Sequence, residues 1–337
     1  MRHTGTKEIE TERLILRPFA EADLQDMLQN WISDPEIQHE YGEPCYPDAE
    51  SAGALLQKWI ASYADPAFYR WAVIERESGK NIGQIAFCRV YSDCKTAEIE
   101  YCIGKAFWGK GYAGEALSAV IAHTFAHTEF EKLEAYHRAE NRKSGRVLEK
   151  SEMHVTENVE RFRRGGETPE GEVCYCIRRD GMDYSGITED YIRSCANFGI
   201  KYVPDAPLCF RVIIKLLYEN DWARARQLLE ANPQAFADEH RWMILDSAVG
   251  MCLNEVTDRQ GNRCRDEAEM KHGRTYFPTE DCIAFIAYLL ENGADPHLPE
   301  RFPQLQNLDD VESDAEQQTG FHFDCSAVRA LLKQYWN

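Results

Sequence analysis

The stretch AEIEYCIGKAFWGKGYAGEA, residues 97–116, constrains this chain more than any other, because it reads as a strand running into a glycine-rich turn that opens a helix. In Trp108-Gly109-Lys110-Gly111-Tyr112-Ala113-Gly114 the small residues let successive backbone N–H groups converge on an anion without an obstructing Cβ. The dipole of the following helix adds partial positive charge there. The pattern predicts a phosphate cradle; its alternative is an ordinary glycine-rich strand-to-helix turn. Two familiar nucleotide motifs do not fit. No Gly-Lys-Ser/Thr follows a four-residue gap as in a P-loop. The GxGxxG spacing of Gly109, Gly111 and Gly114 comes after more than 100 residues, whereas a dinucleotide fold carries it in its first strand-turn-helix unit.

Trp-Gly-Lys-Gly-Tyr-Ala followed by Glu115-Ala116-Leu117 resembles the pyrophosphate loop of the GNAT acetyltransferase superfamily, in the branch that includes the ribosomal-protein N-terminal acetyltransferases. Three further segments match in order. Thr11-Glu12-Arg13-Leu14-Ile15-Leu16-Arg17-Pro18 resembles the first strand, Asp34-Pro35-Glu36 an early helix, and Lys80-Asn81-Ile82-Gly83 the hairpin before the signature strand. Downstream, Asn141-Arg142-Lys143-Ser144-Gly145-Arg146-Val147-Leu148-Glu149-Lys150 resembles the second cofactor motif. The resemblance covers residues 8–184. It departs from the family at Ser151-Glu152-Met153, where Gly-Phe is usual, and at Glu100, where Gly is usual.

The resemblance implies an α/β GNAT fold, a mixed and mostly antiparallel twisted sheet flanked by helices, over residues 1–184. It also implies acetyl-CoA as cosubstrate. Ile99, Tyr101 and Ile103 would lie along the pantetheine arm. The cradle from Gly109 through Lys110, Gly111, Tyr112 and Ala113 to Gly114 would hold the pyrophosphate, and Asn141 would hydrogen-bond the arm. An alkylammonium has a pKa of about 10 and a departing thiolate one of about 8.5, so transfer calls for a base and draws on an acid. Glu98 matches an acidic position used as base, and Glu100 shares its strand face by period-two alternation. The alternative for Glu98 is a carboxylate on a solvated face. The position that carries an acidic Tyr elsewhere corresponds to Leu148; Ser144 is the replacement, with helix N-capping as its alternative.

The net charge of −19 argues against a nucleic-acid partner and suits a cationic acceptor. Asp34, Glu36, Glu40 and Glu43 fall in the segment that would build the acceptor pocket. A basic run, Lys132, Arg138, Arg142, Lys143, Arg146 and Lys150, faces either the coenzyme phosphates or solvent. No segment has the roughly 18 apolar residues of a membrane span and the start is polar, so the expectation is a cytoplasmic chain without membrane association. The 12 cysteines are scattered, which in a reducing compartment implies free thiols. Cys174 and Cys176 lack further ligands, and His123 and His127 have no Glu between them, so no metal is expected.

Past residue 185 helical signals take over. Ile283, Ile286, Ala287 and Leu290, and again Val328, Leu331, Leu332 and Tyr335, have i, i+3, i+4, i+7 spacing. Leu289-Leu290-Glu291-Asn292-Gly293-Ala294-Asp295-Pro296-His297 resembles the end of an ankyrin repeat. The Leu-Leu pairs at 228, 289 and 331 are separated by 61 and 42 residues, not the roughly 33 of regular units, so the repeat is degenerate. The expectation is an all-α ankyrin-like domain over 208–337 after a linker at 185–207, with 254–278 and the acidic run from Asp309 to Glu316 as loops. Such a domain would bind a protein partner, pack on the enzyme or support a homodimer. Two readings stand: an N-acetyltransferase acting on a protein N-terminus or a small cationic amine by direct attack in a ternary complex, and a non-catalytic acyl-CoA-binding adaptor that recruits a protein.

Overall fold

The computed structural model describes residues 1–156, 159–165, 171–184, 186–198, 206–233, 236, 238–297 and 304–335. The chain divides into two compact units, Met1–Gly181 and Met182–Asn337. The first runs β1 (Ile9–Glu10), β2 (Leu14–Arg17), α1 (Leu24–Asn30), α2 (Pro35–Tyr41), α3 (Ala49–Ser62), β3 (Arg70–Glu75), β4 (Asn81–Tyr91) and β5 (Thr96–Ile103). It continues through α4 (Tyr112–His127), β6 (Lys132–Arg138), α5 (Arg142–Glu149), β7 (His154–Val155), α6 (Glu160–Arg163) and β8 (Glu172–Arg178).

Its sheet has the order β1-β2-β3-β4-β5-β6-β8-β7. Neighbours are antiparallel except β5 and β6, which run parallel and are joined by α4, as a parallel pair requires a helical crossover. Strand alternation separates two cores. Ile99 and Ile103 join Leu133, Ala135, Tyr175 and Ile177 under Ala116, Leu117, Val120 and Ile121 of α4. On the other face Ala72, Ile74 and Cys102 pack against Met27, Trp31, Ile37, Leu56 and Trp59 of the first three helices. α2 and α3 start where the sequence supplies caps: Asp34 accepts from Glu36 N and Ile37 N with Pro35 in the first turn, and Asp48 accepts from Ser51 N. Gly104 permits α1 to approach the end of β5, since a Cβ there would lie 2.3 Å from the Asn30 carbonyl oxygen.

Where α1–α3 no longer cover that second face, it turns charged. Lys132 and Glu134 are each about 1% exposed and pair at 2.7 Å, and the Glu160 N–H donates to both Glu134 oxygens at 3.1 Å. Lys132 therefore leaves the expected basic run and belongs to the sheet's interior.

The second unit contains α7 (Glu189–Ser194), α8 (Leu208–Tyr218), α9 (Trp222–Ala231), α10 (Asp238–Gly250), β9 (Val256–Asp258), β10 (Arg263–Cys264), β11 (Thr275–Pro278), α11 (Glu280–Glu291), α12 (Gln304–Thr319), β12 (His322–Phe323) and α13 (Ser326–Gln334). Three expectations need correction. The unit is not all-α: β10-β9-β11-β12 form a sheet over a core of Val256, Cys264, Tyr276, Phe321 and Phe323. Its strands are two to four residues long, too short for an alternating pattern to register. The acidic run 309–316 is helical, within α12, where Arg329 pairs with Asp309 and Glu312. Ile187, Ile192 and Cys195 are buried in this unit's core, so the described part of the expected linker belongs to the unit; 199–205 lies outside the described residues. Among the described residues no helix is long and apolar enough to cross a membrane.

Removing one partner of a buried ion pair strands the other charge, at a cost of about 3 kcal/mol or more. Lys132→Met is expected to destabilise the first unit by that amount, read as lost hydrogen-exchange protection in β5 and β6. Unchanged protection would show that Glu134 is neutralised without Lys132.

Candidate active site

The glycine-rich turn adopts backbone that only glycine takes readily: φ is +75° at Gly109 and +83° at Gly111. Gly111 is the N-cap of α4 and no side chain caps it, which leaves the first-turn N–H groups aimed past the loop. A Cβ built at Gly109 or Gly114 meets nothing within 4 Å, so the surface over the helix start is open. Lys110 and Ala113 lie in the same turn, with the Lys110 ammonium 5.2 Å from the centre of the Phe107 ring.

Distant residues brace this loop. Arg13, from the β1–β2 turn, donates to the Lys110 carbonyl at 2.8 Å and to Glu115 Oε2 at 2.7 Å, and its guanidinium sits 4.8 Å over the Tyr112 ring. Trp108 Nε1 donates to the Ile103 carbonyl at 2.6 Å, which ties the loop to β5. The Tyr112 hydroxyl donates to Glu75 Oε1 at 2.6 Å. Lys143 of α5 lies 3.8 Å over Trp108. Arg13 and Glu75 are more than 30 residues away in sequence, and only their types, not their partners, were visible there.

β5 pairs with β6 only from Thr96 to Ile99. Glu100, Tyr101, Cys102 and Ile103 keep a strand on the β4 side alone, and β6 continues past Ala135 beside β8. Ile99 is therefore still within the paired part, while Tyr101 and Ile103 lie where the strands part. The Tyr101 hydroxyl is 2.7 Å from Ser144 Oγ, and burial pushes its pKa up to about 12, so it is a neutral phenol. Asn141, not Ser144, caps α5: its side chain accepts from Ser144 N at 3.1 Å. Leu148 is wholly buried. After α5, Ser151 Oγ donates to the Leu148 carbonyl at 2.6 Å and accepts from Met153 N at 3.2 Å, and Met153 packs in the core. The unusual Ser-Glu-Met segment is thus a side-chain-closed turn.

Glu98 and Glu100 do share one strand face, but their surroundings differ. Glu98 is 3% exposed, its Oε1 held by Arg89 at 2.6 Å. Glu100 pairs with Arg70 at 2.8 Å, and Arg70 also holds Gln84. Glu100 lines a cavity of roughly 80 Å³ whose other walls include Trp31, Tyr41, Glu43, Trp59 and Arg70; Glu98 does not. Tyr41 is pushed well above its ordinary value, first by burial and then by the Glu100 charge.

With this geometry in view, known proteins can be compared. The profile of the acetyltransferase (GNAT) domain matches residues 13–154. YoaA of Bacillus subtilis (strain 168), an uncharacterized N-acetyltransferase, is 27% identical over 169 residues, 50% of this chain and 95% of that one. The uncharacterized N-acetyltransferase p20 of Bacillus licheniformis is 30% identical over 138 residues, 41% of this chain and 77% of its own. YkkB of Bacillus subtilis (strain 168), an uncharacterized protein, is 30% identical over 159 residues, 46% of this chain and 89% of its own. The chain belongs to the GNAT acetyltransferase family, and it is an acyltransferase enzyme. The family uses acetyl-CoA.

Glu75 is held below the usual carboxylate range, first by the Ser78 hydroxyl and then by that of Tyr112. A carboxyl lowered on folding stabilises the protein above its unfolded pKa and loses that contribution as pH falls through its folded value. Tyr112→Phe is expected to lower the Tm by a few degrees at neutral pH, the gap from wild type closing below about pH 4. An equal gap at both pH values would assign the loss to packing instead.

Proposed function

We propose that the first unit transfers an acetyl group from acetyl-CoA to a primary amine by direct attack in a ternary complex. The observation that carries this is the parting of β5 from β6 beside an open, uncapped helix N-terminus. The cradle of Gly109, Lys110, Gly111, Tyr112, Ala113 and Gly114 offers backbone donors to a pyrophosphate. The side of β5 that has no strand beside it at Tyr101 and Ile103 offers backbone groups to an amide-bearing arm, which in a buried cleft must find partners; the Ile103 carbonyl also accepts from Trp108 Nε1. Asn141 and Ser144 stand at the start of α5 to hold it. The motif resemblance supports the branch that includes the ribosomal-protein N-terminal acetyltransferases.

The attacking nitrogen must first lose a proton. We assign that proton to Glu100 in place of the expected Glu98: each carboxylate is paired with an arginine, but Glu100 lines the cavity and Glu98 does not. The amine nitrogen then bonds to the acetyl carbon, the C–S bond breaks, and the nitrogen's remaining surplus proton is lost as the thiol forms. The net change is ammonium plus thioester to amide, thiol and one proton. To Ser144, whose Oγ shares a hydrogen bond with the Tyr101 hydroxyl, we assign the hydrogen bond to the departing thiolate. A cavity carboxylate beside the open strand favours turnover over an adaptor that only binds acyl-CoA.

For the second unit we propose degenerate ankyrin-type helix pairs that bind a protein partner or a second copy. Gly293, with φ +89°, ends α11 with Ala294 N donating to Leu289 O and Gly293 N to Leu290 O, a common helix ending that is compatible with such repeats. Asn220 ends α8 in the same way.

Gly111→Val would test the cradle poorly, since its φ adds strain; Gly114 has open space and ordinary helical backbone. Gly114→Val is expected to weaken acetyl-CoA binding at least tenfold by calorimetry with the fold retained. Glu100→Gln is expected to lower kcat by about 10² to 10⁴ at unchanged acetyl-CoA affinity, with partial recovery at high pH. Free-thiol release on an amine panel is the readout. If Glu98→Gln shows that loss and Glu100→Gln does not, the base is Glu98.

A further inference from the structure

The cavity beside Glu100 has a charge balance and a wall chemistry that the transfer reaction alone does not require. Of its lining residues, Arg70, Glu100 and Glu43 carry charge. Arg70 is committed to Glu100 and Gln84 and lies 4.5 Å over the Trp59 ring. Gln84 Nε2 donates to the Tyr41 hydroxyl at 2.9 Å. Glu43 sits in the exposed rim and, among the described residues, makes no salt bridge. The cavity therefore holds one negative charge in excess. Four aromatic side chains, Trp31, Tyr41, Tyr46 and Trp59, form the walls around it.

Aromatic faces together with an uncompensated carboxylate favour a cation over a neutral or anionic group. Size narrows the class. A water occupies about 10–15 Å³ of such space, so roughly 80 Å³ admits a slim chain of about five to eight heavy atoms. A branched or carboxylate-bearing group would meet the walls or the two carboxylates.

We propose that this cavity recognises a primary ammonium on an unbranched aliphatic stem, with Glu43 as the residue that selects for its charge, so that the acceptor is a linear alkylamine or a lysine side chain. This rests on the transferase reading for what happens next: the ammonium that Glu43 admits is the one that Glu100 deprotonates. Glu43 is a specificity residue at the mouth and takes no part in bond making.

The full chain is titrated by calorimetry with n-butylamine, with 1-butanol as its uncharged counterpart of equal length, and with alaninamide as a mimic of a protein N-terminus. n-Butylamine should bind at least tenfold more tightly than either. Glu43→Gln, a change at an exposed position, should weaken n-butylamine about tenfold, leave 1-butanol unchanged and leave acetyl-CoA affinity unchanged. A matching loss in kcat/KM for n-butylamine, carried by KM, should appear in free-thiol release. Equal binding of n-butylamine and 1-butanol overturns the proposal, as does a Glu43→Gln effect below twofold. Tighter alaninamide than n-butylamine overturns the linear-stem assignment in favour of protein N-termini. If the ammonium preference holds while acetyl-CoA neither binds nor turns over, the transferase reading falls and the cation site stands.

Discussion

β5 and β6 run together for four residues, Thr96–Ile99 beside Lys132–Ala135, and then each keeps a neighbour on its outer side only. Both are held firmly from outside: β5 along its length by β4, and β6 over seven residues by β8. A sheet interrupted in its middle would ordinarily leave backbone groups without partners, a cost of the order of a lost hydrogen bond each. Here the gap is propped by helix starts. α5 seats against β6 through Gly145, where a Cβ would lie 2.9 Å from the His137 ring, and its Ser144 reaches back to Tyr101 on the other strand. α4 starts from the loop that Trp108 ties to the last residue of β5. Both N-termini and the free strand edge thus belong to the same interruption, and a ligand carrying phosphates at one end and amides along its length is the complement that all three share.

The charges on the opposite face follow from where the helical cover stops. Under α1–α3 the face is mainly apolar apart from the Arg70–Glu100 pair and Gln84 at the cavity, and beyond them Lys132 and Glu134 are buried as a pair with Glu160 N–H as a third partner. Glu98 and Glu100 straddle that change. Glu98 lies in the part of β5 that still pairs with β6, and Arg89 neutralises it. Glu100 is the first residue past the pairing and opens onto the cavity. Two carboxylates on one face of one strand, each paired with an arginine, are thereby given different surroundings by a single structural event.

The sequence disclosed what backbone conformation demands and little of what distant contacts decide. The positive φ angles at Gly109 and Gly111 and the shared face of Glu98 and Glu100 are local, set by residue type and by the period of two, whereas the cap of α5 fell to Asn141 rather than to Ser144. Arg13 on the loop, Arg70 on Glu100, Arg89 on Glu98 and Ser144 on Tyr101 are pairings across strands and helices, and one sequence cannot reveal them. The small sheet of the second unit was illegible for another reason. Its strands are held by neighbours distant in sequence, β11 beside β12, rather than by any alternation of their own.

The second unit closes its own core. Phe210, Ile213, Leu217, Trp222, Leu228, Ile244, Phe285, Leu289 and Leu332, all nearly fully buried, are drawn from successive helices of that unit. Its α8–α9 turn is built from an Asn in left-handed backbone followed by an Asp that caps the next helix, a device that fixes a hairpin without help from elsewhere. A body with its own core and its own turn chemistry lies outside the residues that the acetyltransferase family profile matches. Its acidic helix α12, with Asp310 and Asp314 left outward while Asp309 and Glu312 answer Arg329, leaves it strongly negative.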